Sequence, residues 1–382
     1  MKSTLLITAS KKPLLSSTEQ ILVSDLRLNE SIKNATKWGE KYFNKVEVIE
    51  VFHWVDNIRK ILKILDYLLP VDGLLSIHLL KGLPHGKFFR SIDQIRYEIS
   101  ISLNGRFDLV EWNDSTPDAV QLVYKKIEDT NVTNDNSSSW TFGIPSGGEN
   151  IDLLRDTIKS IRSQEIPNYE ILICGPEKLR NYFENQKDIQ IVEEKKQKDI
   201  RVPICHKKNQ LLSSSQYENL MIMHDRYTLP LDWYERMKEF GNYFDILCLP
   251  TVNRRNERFA VDWMEWGYPI SDRMIKIRFL SYFDKSHHTI VPGGCVVLKK
   301  QVSKLVSFDE RLFWGELEDV HLSKVAHLMG CSIELDAKNK VVSKEMRHTA
   351  NGVGSGVLAL VKSISIMKVI VLQWIYKYSR EK

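Results

Sequence analysis

Leu220-Met221-Ile222-Met223-His224-Asp225 is an apolar run that stops at a histidine and an acid, with Arg226, Pro230 and Trp233 following. A short apolar run closed by a turn signal is the pattern of a strand buried on both faces. Tyr169-Glu170-Ile171-Leu172-Ile173-Cys174, closed by Gly175-Pro176, has the same form. With helix-like stretches at Ile151 to Ile166 before them and Thr228 to Phe240 after them, these strands predict an α/β sheet. Open α/β sheets bind ligands beyond the carboxyl ends of their strands. Asp225 therefore stands where a site is expected, although an acid there also serves to cap the turn into the helix after it.

Further along, Pro292-Gly293-Gly294-Cys295-Val296-Val297-Leu298 reads as a glycine turn feeding another apolar strand. Ser307-Phe308-Asp309-Glu310-Arg311 comes next. Leu312-Phe313-Trp314-Gly315-Glu316-Leu317-Glu318-Asp319-Val320-His321-Leu322-Ser323 then sets three carboxylates beside an aromatic and a glycine, immediately before a helix-like run. Free N–H groups and the helix dipole favour acids at such a place, so a solvated helix start accounts for the cluster as well as a catalytic base does.

The order of these segments carries a resemblance. Residues from about Trp140 to His348 resemble nucleotide-sugar-dependent glycosyltransferases of the inverting family-two type, which have the GT-A fold. Thr141-Phe142-Gly143-Ile144-Pro145-Ser146-Gly147-Gly148-Glu149-Asn150 is similar to that family's first strand and Ile-Pro loop. Ile151 to Ile166, with its Ser160-Ile161-Arg162-Ser163-Gln164 ending, is similar to its first helix. Pro292 to Leu298 resembles its acceptor-side glycine turn, and Phe308-Asp309-Glu310 with Glu318-Asp319 resembles its Phe-Asp-Glu and Glu-Asp motifs.

The resemblance implies roles. Sugar transfer from a nucleoside diphosphate leaves charge on the departing phosphate and takes a proton from the acceptor hydroxyl, which calls for a divalent cation (Mn2+ or Mg2+) and a carboxylate. The family's Asp-x-Asp metal motif falls on Met223, His224 and Asp225, so Asp225 is the implied metal ligand and Met223 departs from the pattern. His348 is similar to the histidine that completes the metal site, with Glu345 as an accessory. Asp319 is the implied general base, Glu318 orients it or the acceptor, and Glu316 is in reserve. Pro145, Lys208, Asn209, His224 and Asp225 are assigned to the donor, with Lys207 beside them, although a solvated helix start explains the two lysines equally well. Cys174 stands where an aspartate commonly receives the nucleoside, and it cannot offer a charged acceptor. Gly293, Gly294, Trp314, Trp263 and Trp266 are assigned to the acceptor, with Arg254, Arg255 and Arg258 nearby. Aromatic faces suit sugar rings, and tryptophans also fill cores.

The chain has 382 residues, a net charge of +5 and 43% hydrophobic residues, enough for two domains with their own cores. Lysines and glutamates are interspersed, as in Glu193-Glu194-Lys195-Lys196-Gln197-Lys198, which argues against a nucleic-acid partner. Cysteines at 174, 205, 248, 295 and 331 show no Cys-x-x-Cys spacing and read as reduced and buried. Leu5-Leu6-Ile7 is too short for a secretory signal, so a cytoplasmic location is expected and the Asn131 and Asn136 triplets carry no glycan.

Four regions follow: 1–128, a linker at 129–139, a GT-A domain at 140–350 and a terminal segment at 351–382. Residues 128–139 have almost no apolar content. Before them, strands at Val46 to Phe52, Gly73 to Leu79, Phe107 to Trp112 and Ala119 to Lys125 alternate with helices at Asp56 to Leu69 and Ile92 to Leu103. Leu69-Pro70-Val71-Asp72-Gly73 and Gly105-Arg106-Phe107-Asp108-Leu109-Val110 resemble turns of Rossmann-like S-adenosylmethionine-dependent methyltransferases. No Gly-x-Gly occurs in residues 1–128, so a degenerate docking or dimerisation domain is expected there. Gly356 to Tyr378 is apolar but interrupted by Lys362, Lys368 and Gln373. That suits a peripheral helix on the inner face of the plasma membrane, or a helix packed on the enzyme or on a second subunit, better than a membrane span.

The expected fold is thus α/β, a GT-A domain preceded by a smaller Rossmann-like α/β domain. The expected function is transfer of a sugar from a nucleotide-sugar donor to a glycan or lipid-linked acceptor, in surface polysaccharide assembly. The alternative is a non-catalytic sugar-nucleotide or glycan-binding protein whose metal site has degenerated.

Overall fold

A computed structural model describes residues 2–8, 18–22, 43–53, 55, 57–82, 90–103, 105–129, 138–183, 185–194, 203–242, 244–258, 262–266, 277–284, 286 and 288–344. The architecture is α/β, as expected. The chain divides into two compact units, the first made of residues 1–135 with 242–244 and 328–332, the second of the remainder. His348, Glu345, Tyr268, most of the linker and residues 351–382 lie outside the described residues.

In the first unit, β1 (Lys2–Thr8), β2 (Thr18–Leu22), β3 (Phe43–Ile49), β4 (Leu74–Leu80), β5 (Phe107–Asn113) and β6 (Ala119–Lys126) form one sheet in the order β2-β1-β3-β4-β6-β5. β2, β1, β3 and β4 run parallel, β6 is antiparallel to them, and β5, antiparallel to β6, runs in their direction again. Leu5-Leu6-Ile7 is the heart of β1, buried throughout. Helix α1 (Ile58–Leu68) is capped by the Asn57 side chain, and α2 (Ile92–Ser102) by a reciprocal Ser91–Gln94 box. Ile58, Ile61, Leu62, Leu65 and Leu68 recur at helical spacing and bury α1 against Val46, Val48, Leu75 and Ile77 of the sheet. At the end of α1 the fully buried Lys126 meets Asp66 and Asp129 carboxylates at 3.0 and 2.9 Å and the carbonyls of Asp66 and Leu69 at 2.5 and 2.9 Å. Arg106 closes on the other Asp66 oxygen at 2.6 Å.

The second unit is built on β7 (Ser139–Pro145), α3 (Ile151–Arg162), β8 (Asn168–Gly175), α4 (Arg180–Phe183), β9 (Ile189–Glu193), α5 (Ile204–Ser214) and β10 (Asn219–Met223). The chain continues through β11 (Tyr227–Thr228), α6 (Trp233–Phe240), β12 (Ile246–Cys248), β13 (Thr251–Asn253), β14 (Met264–Trp266), β15 (Ile277–Phe279) and β16 (Thr289–Ile290). Then come β17 (Cys295–Lys299), α7 (Lys300–Leu305), α8 (Glu318–Leu328), β18 (Ile333–Leu335) and β19 (Val341–Ser343). Seven strands lie in the order β18-β12-β17-β10-β7-β8-β9. All are parallel except β17, which is antiparallel to both its neighbours. Under the sheet, Trp233 packs edge to face on Trp140 and Phe142, 4.9 and 5.8 Å away.

Two expectations are corrected. Tyr227–Thr228 is not helical: it pairs with Ser343 and Val342, and the helix starts only at Trp233. Helix α3 ends at Arg162, because Ser160 and Gln164 turn inward instead, Ser160 Oγ accepting from Leu229 N and Gln164 bridging Pro230 O and Tyr234 N. Both differences serve the loop that follows Asp225.

Candidate active site

The single reversed strand decides where the site forms. The carboxyl end of β10 and the amino end of β17 meet at the Met223–Cys295 pair, and one residue beyond it His224 N donates to Gly294 O at 3.0 Å. The segment after β10 and the glycine turn before β17 therefore share one edge, with the ends of β7 and β8. Met223, which takes the first position of the expected metal motif, is a fully buried strand residue, and a carboxylate there would lie in the core.

Asp225 is half-buried, and its Oδ2 accepts from the Ser146 hydroxyl at 2.6 Å. Ser146 follows Pro145 at the end of β7. Its N–H donates to Cys174 O at 2.9 Å, its hydroxyl accepts from Gly148 N at 3.1 Å, and its carbonyl accepts from Lys207 Nζ at 2.9 Å. Lys207 also pairs with Glu194 at 3.1 Å. The Thr157 hydroxyl of α3 lies 2.8 Å from Tyr227 O and 3.2 Å from Asp225 O, pinning the loop from behind. His224 is buried, its ring 6.3 Å from that of Tyr227.

The second half of the site is the acidic helix start. Asp319 Oδ2 accepts from Gly293 N at 2.9 Å and Oδ1 from Val320 N at 2.9 Å, and the half-buried carboxylate keeps lone pairs for another donor. Glu318 is buried, with Oε1 3.2 Å from Lys208 Nζ. Burial pushes the Glu318 carboxyl above its ordinary range, opposed by Lys208 and reinforced by Asp319. Lys208 is fully buried, with Phe308 beneath it at 4.6 Å from ammonium to ring centroid. A Cβ at position 293 would lie 2.8 Å from Glu318 Oε1 and 3.1 Å from Lys208 Nζ, and one at 294 would lie 2.6 Å from the Tyr227 hydroxyl. Both glycines are needed for that close approach.

The loop leading into this pair is strained. Leu317 has φ +63° and Gly315 φ +85°. For leucine this conformation is costly, and the residue holds it while packing against Met264, Ile290 and Val320. Ser323, fully buried on α8, donates to Asp319 O at 2.7 Å and accepts from Val291 N at 3.1 Å, fixing the helix start against the chain that enters the glycine turn. Trp314 is 54% exposed.

The structure therefore brings together Pro145, Lys208, His224, Asp225, Gly293, Gly294, Glu318 and Asp319 through shared hydrogen bonds and neighbouring backbone. Other residues are committed elsewhere. Glu316 accepts from Phe313 N at 3.0 Å within its own turn. Asn209 grips Phe308 from both amide ends, at 2.8 and 2.9 Å, and reaches Glu310 at 3.0 Å. Trp263 is buried and donates to Asp284 O at 3.1 Å. Trp266 sits between His288 and His327, with Lys324 above it. Arg258 is bound to Asp262 at 2.7 Å and stacked 4.0 Å over Tyr282, whose hydroxyl donates to Asp262, whereas Arg254 and Arg255 are exposed.

All five cysteines are buried thiols, outside any disulfide. Burial pushes the Cys174 and Cys205 thiols up to about 12, so neither is a nucleophile at this edge. The residues missed in the sequence are Ser146, Thr157 and Ser323. Nothing in their sequence neighbourhood, Asp156 beside Thr157 and Lys324 beside Ser323, marks them out.

Among the described residues no group of three or more His, Cys, Asp or Glu side chains is set to hold a metal ion, and no helix is long and apolar enough to cross a membrane. A cation that arrives on a diphosphate takes most of its ligands from phosphate and water and needs only one or two protein carboxylates. Asp225, accessible at the strand edge, fits that requirement. Lys344, whose N–H meets Arg226 O at 2.9 Å, is the last described residue before the segment holding His348.

No family model and no curated protein matches the chain. Among solved structures, S. aureus TarS 1-349 is similar at 11% identity and a TM-score of 0.39, over 54% of this chain and 60% of that one. TarS 1-349 in complex with UDP-GlcNAc gives 10% identity and 0.39, over 56% and 61%. The mannosyltransferase PcManGT from Pyrobaculum calidifontis, in complex with GDP-Man and Mn2+, gives 17% identity and 0.37, over 55% and 57%. The match thus spans about three fifths of the length of each of these chains.

Proposed function

We propose that this protein is a glycosyltransferase that moves a sugar from a nucleotide-diphosphate donor to an acceptor hydroxyl. The observation that carries the reading is the convergence, at one sheet edge, of a half-buried Asp319 docked on the glycine turn and an Asp225 oriented by Ser146. Asp319 accepts the proton of the attacking hydroxyl, and its bond to Gly293 N keeps the carboxylate aimed while leaving lone pairs open. Asp225 is the protein ligand for a donor-borne Mn2+ or Mg2+, with His348 as a second. Bound there, the cation neutralises charge on the departing diphosphate. Trp314, exposed beside the acidic pair, offers a flat apolar face to a sugar ring. From the resemblance to inverting family-two glycosyltransferases we infer a single displacement with inversion at the anomeric centre.

The acceptor we infer is a glycan or lipid-linked saccharide, in surface polysaccharide assembly at the cytoplasmic side of the membrane. In this reading the first unit is a docking or dimerisation module that binds no S-adenosylmethionine, which calorimetry on the full chain tests directly.

The deciding experiment is nucleotide release from a panel of UDP-, GDP- and dTDP-sugars, with and without Mn2+ and with mono- and disaccharide acceptors. Metal-dependent release that is lost in both Asp225→Asn and Asp319→Asn supports transfer. Tight donor binding by the wild type without any release would point instead to a non-catalytic sugar-nucleotide-binding protein.

A further inference from the structure

We propose that Lys208 is a positioning residue for the proton-accepting pair: its buried ammonium anchors the Glu318 carboxylate at 3.2 Å, so that Asp319 alone is presented to the acceptor. The inference rests on the glycosyltransferase reading and reassigns Lys208 away from the donor. Consecutive lysines on α5 divide the work. Lys207 reaches the donor half, on Ser146 O and Glu194, and Lys208 reaches the acidic helix start. Lys208 shows no exposed surface, so a diphosphate could gain its ammonium only by stripping it from Glu318. That would strand a buried carboxylate without a countercharge.

The packing around Lys208 is specific to this role. Phe308 forms the floor beneath the ammonium, and Asn209, the next residue on α5, holds Phe308 by its backbone N–H and carbonyl. Gly293 forms the roof, and a methyl group there would press on both Lys208 Nζ and Glu318 Oε1. The groups facing Glu318 are the Lys208 ammonium and the Cys205 thiol from α5 and the Asp319 carboxylate from its own helix, with Asp309 of the preceding loop acting on Cys205 as well. Lys208 is the cation of this set. Without it, burial and Asp319 both favour protonated Glu318. A protonated Glu318 is a hydrogen-bond donor lodged beside the base, and it competes with the acceptor hydroxyl for Asp319.

The test uses the full chain, with carboxyl 13C NMR titration of Glu318 and the pH profile of nucleotide release in the wild type, Lys208→Met and Lys208→Arg. In Lys208→Met the Glu318 midpoint should rise by about one pH unit or more, and kcat should fall about tenfold or more with donor KM within about twofold. Lys208→Arg, which keeps the charge, should recover most of both. Should Lys208→Met fail to fold, Lys208→Met/Glu318→Gln removes both charges together, and it should fold and turn over no worse than Glu318→Gln alone. A raised donor KM with kcat and the Glu318 midpoint unchanged would make Lys208 a donor contact and overturn the proposal. If wild type is inert across the donor panel, the functional reading falls and takes the proton-acceptor role with it. Transfer by wild type with an unmoved Glu318 midpoint in the variant defeats the Lys208 proposal alone.

Discussion

Lys126 in the first unit and Lys208 in the second are both fully buried, yet their surroundings differ in kind. Lys126 faces two carboxylates and two carbonyls, more oxygens than its ammonium has protons to give. Lys208 faces one carboxylate oxygen and the face of an aromatic ring, with a glycine above it and a half-buried acid alongside. A buried charge wrapped in oxygens closes the end of a helix. One held by a single acid beside an accessible base leaves that acid's proton affinity open to adjustment, which is of use only where protons move.

The widest separation between the two regions should come from Asp319→Asn. It removes the base proposed beside Lys208, and nucleotide release should fall about 100- to 10,000-fold with the melting temperature near that of the wild type. Lys126→Met should do the reverse. Asp66 keeps Arg106, but the buried carbonyls of Asp66 and Leu69 lose their donor, which should cost about 1–3 kcal/mol in urea unfolding, while transfer at low temperature stays close to the wild-type rate. If Lys126→Met abolished transfer without loss of stability, the contrast between the two lysines would collapse.

A smaller effect sharpens the donor side. Ser146→Ala removes a hydrogen bond to the charged Asp225, worth about 1.5–3 kcal/mol, and should weaken donor binding by about 10- to 150-fold, with most of the change in KM. Unchanged donor binding would detach Ser146 from the site.

The mildest test lies on the loop that carries Phe308. The Arg311 guanidinium beside Asp309 holds its carboxyl down at about 2. An acid depressed below its unfolded value of about 3.9 contributes stability that is complete above that pH and is lost as pH falls towards about 2. Arg311→Ala should therefore lower neutral stability only slightly, since Arg311 is 87% exposed, and the difference from wild type should vanish as pH falls towards about 2. An acid limb identical to that of wild type would show the pair to be inert.

What could be read in the sequence follows the range of the forces involved. Apolar runs gave strands β7, β8, β10 and β17, because burial on both faces leaves a local signature. Helices α1, α2 and α3 were legible as helix-like runs, and the structure adds their caps Asn57, Ser91 and Asn150, each accepting from an N–H three residues on. The acidic helix start was also visible. The burial of Lys207 and Lys208 was not, because lysines on a solvated helix look identical and the Lys208 partner is 110 residues away. Strand β11 was hidden because its two residues gain an extended conformation only from Val342 and Ser343, more than a hundred positions later. Ser146 and Ser323 were missed because a hydroxyl's partner is set by tertiary geometry alone.

The reversed strand β17 has a consequence for engineering. The elements that carry the proposed site are tied to one another across the β10–β17 seam, whereas among the described residues the chain between β13 and β17 contributes a separate three-stranded sheet, β15-β14-β16, and no strand to the main one. That stretch is therefore a cassette whose two splice points lie in fixed framework. Because Met264 and Ile290 pack on Leu317 and Val320, any exchange of it must keep those contacts for the acidic helix start to hold its place.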